Sequence, residues 1–376
     1  MASIYFHYPY CSKACSYCNY HFSTNVGTQN KMVETLIREL ELRMSEITQP
    51  IDSIYFGGGT PSLLKIAELE KILHYTHNLF IVKPNVEITL EANPDDITKL
   101  YLKQLKQLGV NRVSLGVQSF DDVELKSIGR IHSGDQAFQS LEILANEFEN
   151  FSVDLIYGLV HSNIESWKTN LRKALIYKPK HLSLYILTLE KKTRLYHQVK
   201  QKKIKLPPDG LVYRQYQLGV KYLDTNGFVH YEISSFALPK WESRHNFGYW
   251  NDQPYLGIGP SAHSFDGNKT RSWNIDNNSL YIKMIHQGIL PITRENLSMD
   301  DRFNEYLLTR LRTIGGVSKR EIKQKWGMEY SKYLEKQSQK FISQGLIIET
   351  ESKMKLSIEG KILADGIISD LFHGDI

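Results

Sequence analysis

Cysteine is nearly absent. The 376 residues hold three, all between positions 11 and 18. An odd number packed so tightly excludes a disulfide framework and points to metal or redox chemistry. No apolar run reaches the roughly 20 residues that a membrane-spanning helix needs. The amino terminus, MASIYFHYPYC, lacks the charged and apolar segments of a secretion signal, so a cytoplasmic protein is expected. No tract of low complexity interrupts the chain. Charge of one sign is also scarce: the formal excess is +5, a weak preference for anionic ligands that a solvated surface explains as well. An apolar content of 41% and a charged content of 23% suit a globular chain long enough for one large domain and a smaller one.

What is present is a strand–loop–helix rhythm. Short β-rich runs occur at Ile4–His7, Ser53–Phe56, Val86–Leu90, Arg112–Val117, Ser152–Ile156 and His181–Leu187. Between them, Val33, Leu36, Ile37, Leu40 and Met44 share one helical face, as do Ile66, Leu69, Ile72 and Leu73. Alternating strands and helices predict a parallel sheet, and about six units predict an open βα barrel short of the eight that close one. Polar and glycine-rich stretches follow these strands: GGGTP, EANPDD, QSF and YGLV. In a βα barrel such loops open on one face, so these motifs are expected to converge. After about Pro291 the rhythm changes. Helices are expected at Arg302–Leu311, in the basic stretch after Gly315-Gly316, at Lys332–Gln344 and near Gly360–Phe372, with a hairpin at Ile347–Ser357. That pattern is winged-helix-like, but its mixed charge gives no reason to expect nucleic acid as a partner. The expected division is a barrel at 1–235, an extension at 236–290 and a C-terminal module at 291–376.

Cys11, Cys15 and Cys18 have the spacing C-x3-C-x2-C on one loop after the first strand. Three thiolates so placed can hold three irons of a cubane and leave the fourth open to a small chelating molecule. The rival on this loop alone is a zinc site with His7 or His21 as fourth ligand. Gly57-Gly58-Gly59-Thr60-Pro61 lies between a strand and a helix, where glycines let the backbone approach a ligand's charged end. Alone it is a weak signal; one βα unit after a cysteine loop it is a stronger one.

Together these segments resemble the radical S-adenosylmethionine (SAM) family of oxygen-independent coproporphyrinogen III oxidases and their heme-chaperone relatives. The resemblance runs through YFHYPYC, CSKACSYC, GGGTP, LEANPDD, LGVQSF, GRIHS, VDLIYGL, HNFGYW and YLGIGPSAHS, and into the C-terminal module. It implies the open (β/α)6-type partial TIM barrel of radical SAM proteins with a C-terminal winged-helix-like module. It implies a 4Fe–4S cluster on the three cysteines, with Tyr5 and Tyr17 packed on the cofactor. Gly58, Gly59 and Thr60 would meet the methionine end of SAM. Glu91 would take its amine or ribose, Gln118 and Asp154 the ribose, and Arg130 the carboxylate. A zwitterionic ligand needs acid, base and amide partners at one mouth.

Two departures separate the branches of that family. The oxidase has a fourth cysteine two positions after the third, where this sequence has Tyr20, and a longer segment before its cluster. Both departures favour the heme-chaperone branch. His245-Asn246-Phe247-Gly248-Tyr249-Trp250 matches the HNxxYW motif linked to heme in that branch, so His245 is expected to meet heme, with Tyr249 and Trp250 as flat supports. The rival is a structural histidine. The implied partners are heme, an acceptor protein such as one of a respiratory chain, and an electron donor if SAM is cleaved; peripheral membrane association is compatible with that role. Three functions compete: a heme chaperone, a radical SAM coproporphyrinogen III dehydrogenase, and a winged-helix nucleic-acid protein with a structural metal. The SAM motifs go unexplained under the third.

Overall fold

A computed structural model describes residues 1–374. Six parallel strands stand side by side in chain order: β1 (Ala2–Tyr8), β2 (Ile51–Gly58), β3 (Val82–Ala92), β4 (Arg112–Gln118), β5 (Phe151–Tyr157) and β6 (His181–Ile186). Each coincides with one of the β-rich runs of the sequence, β6 ending one residue short of Leu187. Side chains alternate across a strand, so register decides what each face carries. Ile4, Phe6, Ile54, Phe56, Ile88, Leu90, Val113, Leu115, Val153 and Leu182 pair on the face beneath the helices, and all are buried. Phe6 stacks on Phe56 at 4.8 Å. Each such side chain contributes about 1.5–3 kcal/mol by leaving water.

The opposite face is polar. Its rows are Ser3–Ser53–Glu87, Tyr5–Tyr55–Thr89–Arg112, Glu91–Ser114–Ser152–His181 and Asp154–Ser183. A packed barrel fills its interior with branched apolar side chains; here the inner face carries hydroxyls, carboxylates, imidazoles and a guanidinium, and keeps a cavity.

The sheet continues beyond both edges. On one side come β7 (Val229–His230) and β8 (Ser235–Ala237), with β8 antiparallel to β6. On the other come β9 (Tyr255–Ile258), parallel to β1, and antiparallel β10 (His263–Phe265), β11 (Thr270–Asn274) and β12 (Ile292–Asn296). The last strand lies past the boundary expected at 290, inside the stretch assigned to the C-terminal module. YLGIGPSAHS works here as a fastener. The fully buried Glu39 carboxylate accepts from the Gly259 amide at 2.8 Å, Asn274 Nδ2 at 2.7 Å and Arg43 Nη1 at 2.9 Å, which joins helix Gln29–Arg43 to this edge.

The C-terminal module has its own core, centred on Phe303, Tyr306, Leu307, Leu334 and Ile368. Helices Met299–Arg310, Lys319–Lys325 and Gly327–Ser343 stand with a small sheet of β13 (Val317–Ser318), β14 (Ile347–Glu349) and β15 (Lys353–Leu356) in the order β13–β15–β14, a winged-helix arrangement. The single helix expected near 360–372 is instead two, Ile358–Ile362 and Ala364–Ser369, because Leu363 at φ −104° and ψ 15° leaves the helical region. Among the described residues no helix is long and apolar enough to cross a membrane.

Candidate functional site

The three cysteines and every other residue expected at the site except Trp250 line one cavity of about 750 Å³ at the carboxyl ends of the parallel strands. The cysteine loop is pinned from several sides by backbone bonds. The Cys11 amide donates to Ser23 O at 3.1 Å, the Ser16 amide to Ile128 O at 2.9 Å, and the Leu195 amide to Ser16 O at 2.8 Å. The amides of Gly59 and Thr60 donate to Tyr8 O at 2.8 Å and Tyr10 O at 2.7 Å. A methyl at Gly59 would stand 2.6 Å from Tyr10 O, and Gly58 holds φ at +103°, so glycine is required at both. This qualifies the expectation for GGGTP. Two of its amides are spent on the end of β1 and the residue before Cys11, and the Thr60 hydroxyl accepts from Asn93 Nδ2 at 3.3 Å.

Burial pushes the Cys18 thiol up to about 11 and raises that of Cys11 despite the nearby Thr60 hydroxyl. These thiols stay protonated until a metal replaces the proton. Among the described residues, no three or more His, Cys, Asp or Glu side chains gather as ligands of a single ion. The histidines proposed for a zinc site are engaged elsewhere. His7 Nε2 bonds to His21 O at 2.8 Å, and His21 Nε2 to Asn278 Oδ1 at 2.7 Å; neither ring lines the cavity. Three thiols around one cavity, with neither His7 nor His21 beside them, fit a cubane in which each holds a different iron.

Around them stand the groups expected to meet SAM. Arg130 Nη2 donates to Asn93 Oδ1 at 2.7 Å and Gly116 O at 2.8 Å, while Nη1 lies 3.7 Å from Cys15 Sγ. Its guanidinium is thus aimed at the cysteine loop by Asn93, from EANPDD. Glu91 Oε1 accepts from Tyr55 Oη at 2.8 Å, and burial raises its carboxyl to about 7, so it is half ionised near neutrality. Asp154 accepts from Ser114 Oγ at 3.0 Å and Ser152 Oγ at 3.3 Å; burial raises it and those hydroxyls restrain the rise. Gln118 sits at φ +66° where the β4–β5 register breaks, a strained backbone at the rim. Tyr17 packs beside Ile128, Ile156 and Leu159, and Tyr5 stacks on Tyr55 at 6.0 Å. Tyr20 is 72% exposed at the cavity edge.

His245 comes from the short helix Arg244–Trp250, whose first amides, Arg244 and His245, donate to the Glu87 carboxylate at 3.2 Å each. The ring is 1% exposed and stacks on Tyr55 at 4.8 Å. Ser53 Oγ donates to Ser3 Oγ at 2.8 Å, so His245 Nδ1–H donates to Ser53 at 2.9 Å. Nε2 then accepts from the Tyr249 hydroxyl at 2.8 Å; this tautomer is assigned from the network. Burial lowers the ring to about 3, so it stays neutral at ordinary pH. Its lone pair is present but capped. Trp250, expected as a flat support, does not line the cavity. Tyr249, the other expected support, lines the cavity and caps His245. Tyr55, Asn93 and Ser114 were not singled out in the sequence, and only Asn93 lay in a quoted motif.

Residues 5–174 match the Radical SAM superfamily, and 297–363 match the HemN C-terminal domain. The heme chaperone HemW of Bacillus subtilis is 32% identical over 387 aligned residues, covering 100% of both chains. This chain belongs to the radical SAM superfamily, in the HemW branch. Another relative is the mouse mitochondrial radical S-adenosyl methionine domain-containing protein 1, at 35% identity over 98% of this chain and 87% of its own. The solved structure of the coproporphyrinogen III oxidase HemN from Escherichia coli superposes with a TM-score of 0.85, over 99% of this chain and 90% of that one. At 22% identity it establishes the shared fold: an open radical SAM sheet with a HemN-type C-terminal domain. The family implies a 4Fe–4S cluster and SAM.

Proposed function

We propose that this protein is a heme chaperone of the cytoplasm, which binds heme and passes it to an acceptor protein, with SAM and a 4Fe–4S cluster in the same cavity. The observation that carries the reading is the placing of His245, neutral and with its lone pair on Nε2, in the cavity that the three cysteines line. The full-length likeness to relatives named heme chaperones supports it. Cys11, Cys15 and Cys18 would hold the cluster, which supplies one-electron chemistry when bound. Arg130 would fork onto the SAM carboxylate, Glu91 would take its amine, and Gln118 and Asp154 its ribose, with Tyr5, Tyr17, Gly58, Gly59 and Thr60 shaping the walls. For His245 to reach heme iron, Tyr249 must withdraw its hydroxyl from Nε2.

The test uses anaerobically reconstituted protein. Titrating heme should give a stable Soret complex that His245→Ala weakens at least tenfold and Tyr249→Phe, which uncaps the lone pair, strengthens. Identical heme spectra in wild type and His245→Ala would remove His245 as ligand. Coproporphyrinogen offered to the reduced, SAM-loaded protein should not be decarboxylated, since Tyr20 replaces the fourth cysteine. Protoporphyrinogen formed at enzyme-like rates would replace the chaperone reading with the dehydrogenase one.

SAM affinity tests the carboxylate partner. Arg130→Ala should lower it about 10–100-fold, the loss of a buried charged hydrogen bond. Arg130→Lys should fall between, because lysine keeps the charge and loses the fork. Equal affinities by equilibrium dialysis would take Arg130 out of the site.

A further inference from the structure

The small positive excess of this chain is not spread evenly. Between positions 191 and 205 stand Lys191, Lys192, Arg194, Lys200, Lys202, Lys203 and Lys205, with no acidic residue among them. Those seven charges exceed the +5 of the whole chain, so the rest is net acidic by two. All seven side chains are exposed, and among the described residues none is ion-paired. The basic helix of the C-terminal module differs: Lys319 is paired with Glu349 and Lys325 with Glu321. Seven like charges in fifteen residues repel one another, and among the described residues no ion pair offsets the cost.

Their location gives the concentration a use. The segment follows β6 directly after Leu187, Thr188 and Glu190, which line the cavity. It is bonded directly to the cysteine loop, through the Leu195 amide on Ser16 O at 2.8 Å and Asn19 Nδ2 on Glu190 Oε2 at 3.3 Å. Lys13, exposed on the cysteine loop itself, adds an eighth cation on the same side. We infer that residues 191–205 are the docking face for an acidic, low-potential one-electron carrier protein that reduces the cluster. One electron leaves the carrier, which is oxidised, and enters the cluster, which is reduced; no bond is made or broken.

A membrane is the poorer occupant. Interfacial binding needs exposed apolar side chains beside the basic ones, and here Leu195 is buried and Tyr196, Val199 and Ile204 are half-buried. Complementary charge acts mainly on the association rate and fades as salt screens it. The inference rests on the cluster proposed for Cys11, Cys15 and Cys18, whose presence iron analysis reports independently.

The experiment compares reconstituted wild type with the charge reversal K200E/K202E/K203E/K205E, and with the milder K202Q/K203Q. An acidic flavodoxin, fully reduced, is the probe, and dithionite is the small-molecule control. At low ionic strength flavodoxin should reduce the wild-type cluster at a rate that falls steeply with added salt. The reversal should slow it about tenfold or more and abolish the salt dependence, with the milder variant between. Flavodoxin affinity, read by fluorescence anisotropy on the cluster-free proteins, should fall in the same order. Iron content and reduction by dithionite should not change. Equal flavodoxin rates and affinities in wild type and reversal would overturn the inference. So would an effect confined to vesicles rich in phosphatidylglycerol, bound by wild type and not by the reversal, which would assign the face to lipid.

Discussion

Replacing Cys11, Cys15 and Cys18 together by Ala removes all cluster iron and leaves the fold in place. Wild type reconstituted without oxygen should carry about four irons with a broad, oxygen-sensitive visible absorbance, and the triple variant none. The fold survives because the loop is held by its backbone. The amides of Cys11, Ser16, Gly59, Thr60 and Leu195 make its anchoring bonds, and no cysteine side chain is fully buried. Far-ultraviolet circular dichroism should be unchanged and the melting temperature within a few degrees of the metal-free wild type. Single replacements should retain partial, more labile iron, since two thiolates remain. Zinc at one equivalent in anaerobically purified wild type would sink the cluster reading, although both histidines that could complete a zinc site are engaged elsewhere.

The parts legible in the sequence were those whose signals are local. Each parallel strand was marked by a β-rich run, and each loop that builds the site by the polar or glycine residues directly after it. Parallel topology then brings those loops to one end, and so residues far apart in sequence, such as Cys11 and Asp154 or Cys15 and His245, share a cavity. What stayed hidden depends on register. Ser3, Ser53 and Glu87 look like ordinary polar interruptions of strands until pairing lines them up on one face. The cap on His245 shows both kinds of information. Tyr249 is four residues on, one helical turn away, and could have been read; Ser53, 192 residues away, could not. The edge strands β9–β12 were missed because Gly, Pro, Asn and Asp punctuate them, and their pairing to β1 is held by the distant carboxylate of Glu39. The spent amides of GGGTP are likewise tertiary: glycine at 59 announces a close approach without saying whether ligand or chain makes it.

The polar inner face predicts that the protein is acid-labile well above the range where carboxylates titrate. His7, His181 and His245 are 4%, 0% and 1% exposed. Burial lowers His7 to about 4, His245 to about 3 and His181 well below its ordinary range. Unfolded, each would take a proton below about pH 6.5; folded, each refuses it. The unfolded state therefore binds more protons between pH 6.5 and 5, and stability falls as pH falls through that window. Glu91 opposes this. Its folded carboxyl is raised to about 7, so in the same window the folded state holds one proton that the unfolded state does not. Asp154 and Glu232 are raised by burial as well, in part offset by the serine hydroxyls on Asp154 and the Ser234 amide on Glu232 at 3.2 Å, and they add to the side of Glu91. His230, which burial also lowers to about 3, adds to the histidine side, so the histidines outweigh the carboxyls and the loss is on the order of a few kcal/mol across the window. Urea unfolding followed at pH 7.5, 6.0 and 5.0 should show that loss. His181 provides the control, because it lies away from the cysteines, held by Ser152 at 2.7 Å and Tyr231 at 2.8 Å. His181→Asn cannot take the proton and should flatten the slope by about 1.4 kcal/mol per pH unit whatever its cost at neutral pH. A stability that is level or rises between pH 7.5 and 5.0 would mean that the carboxyls, not the histidines, govern the barrel's titration.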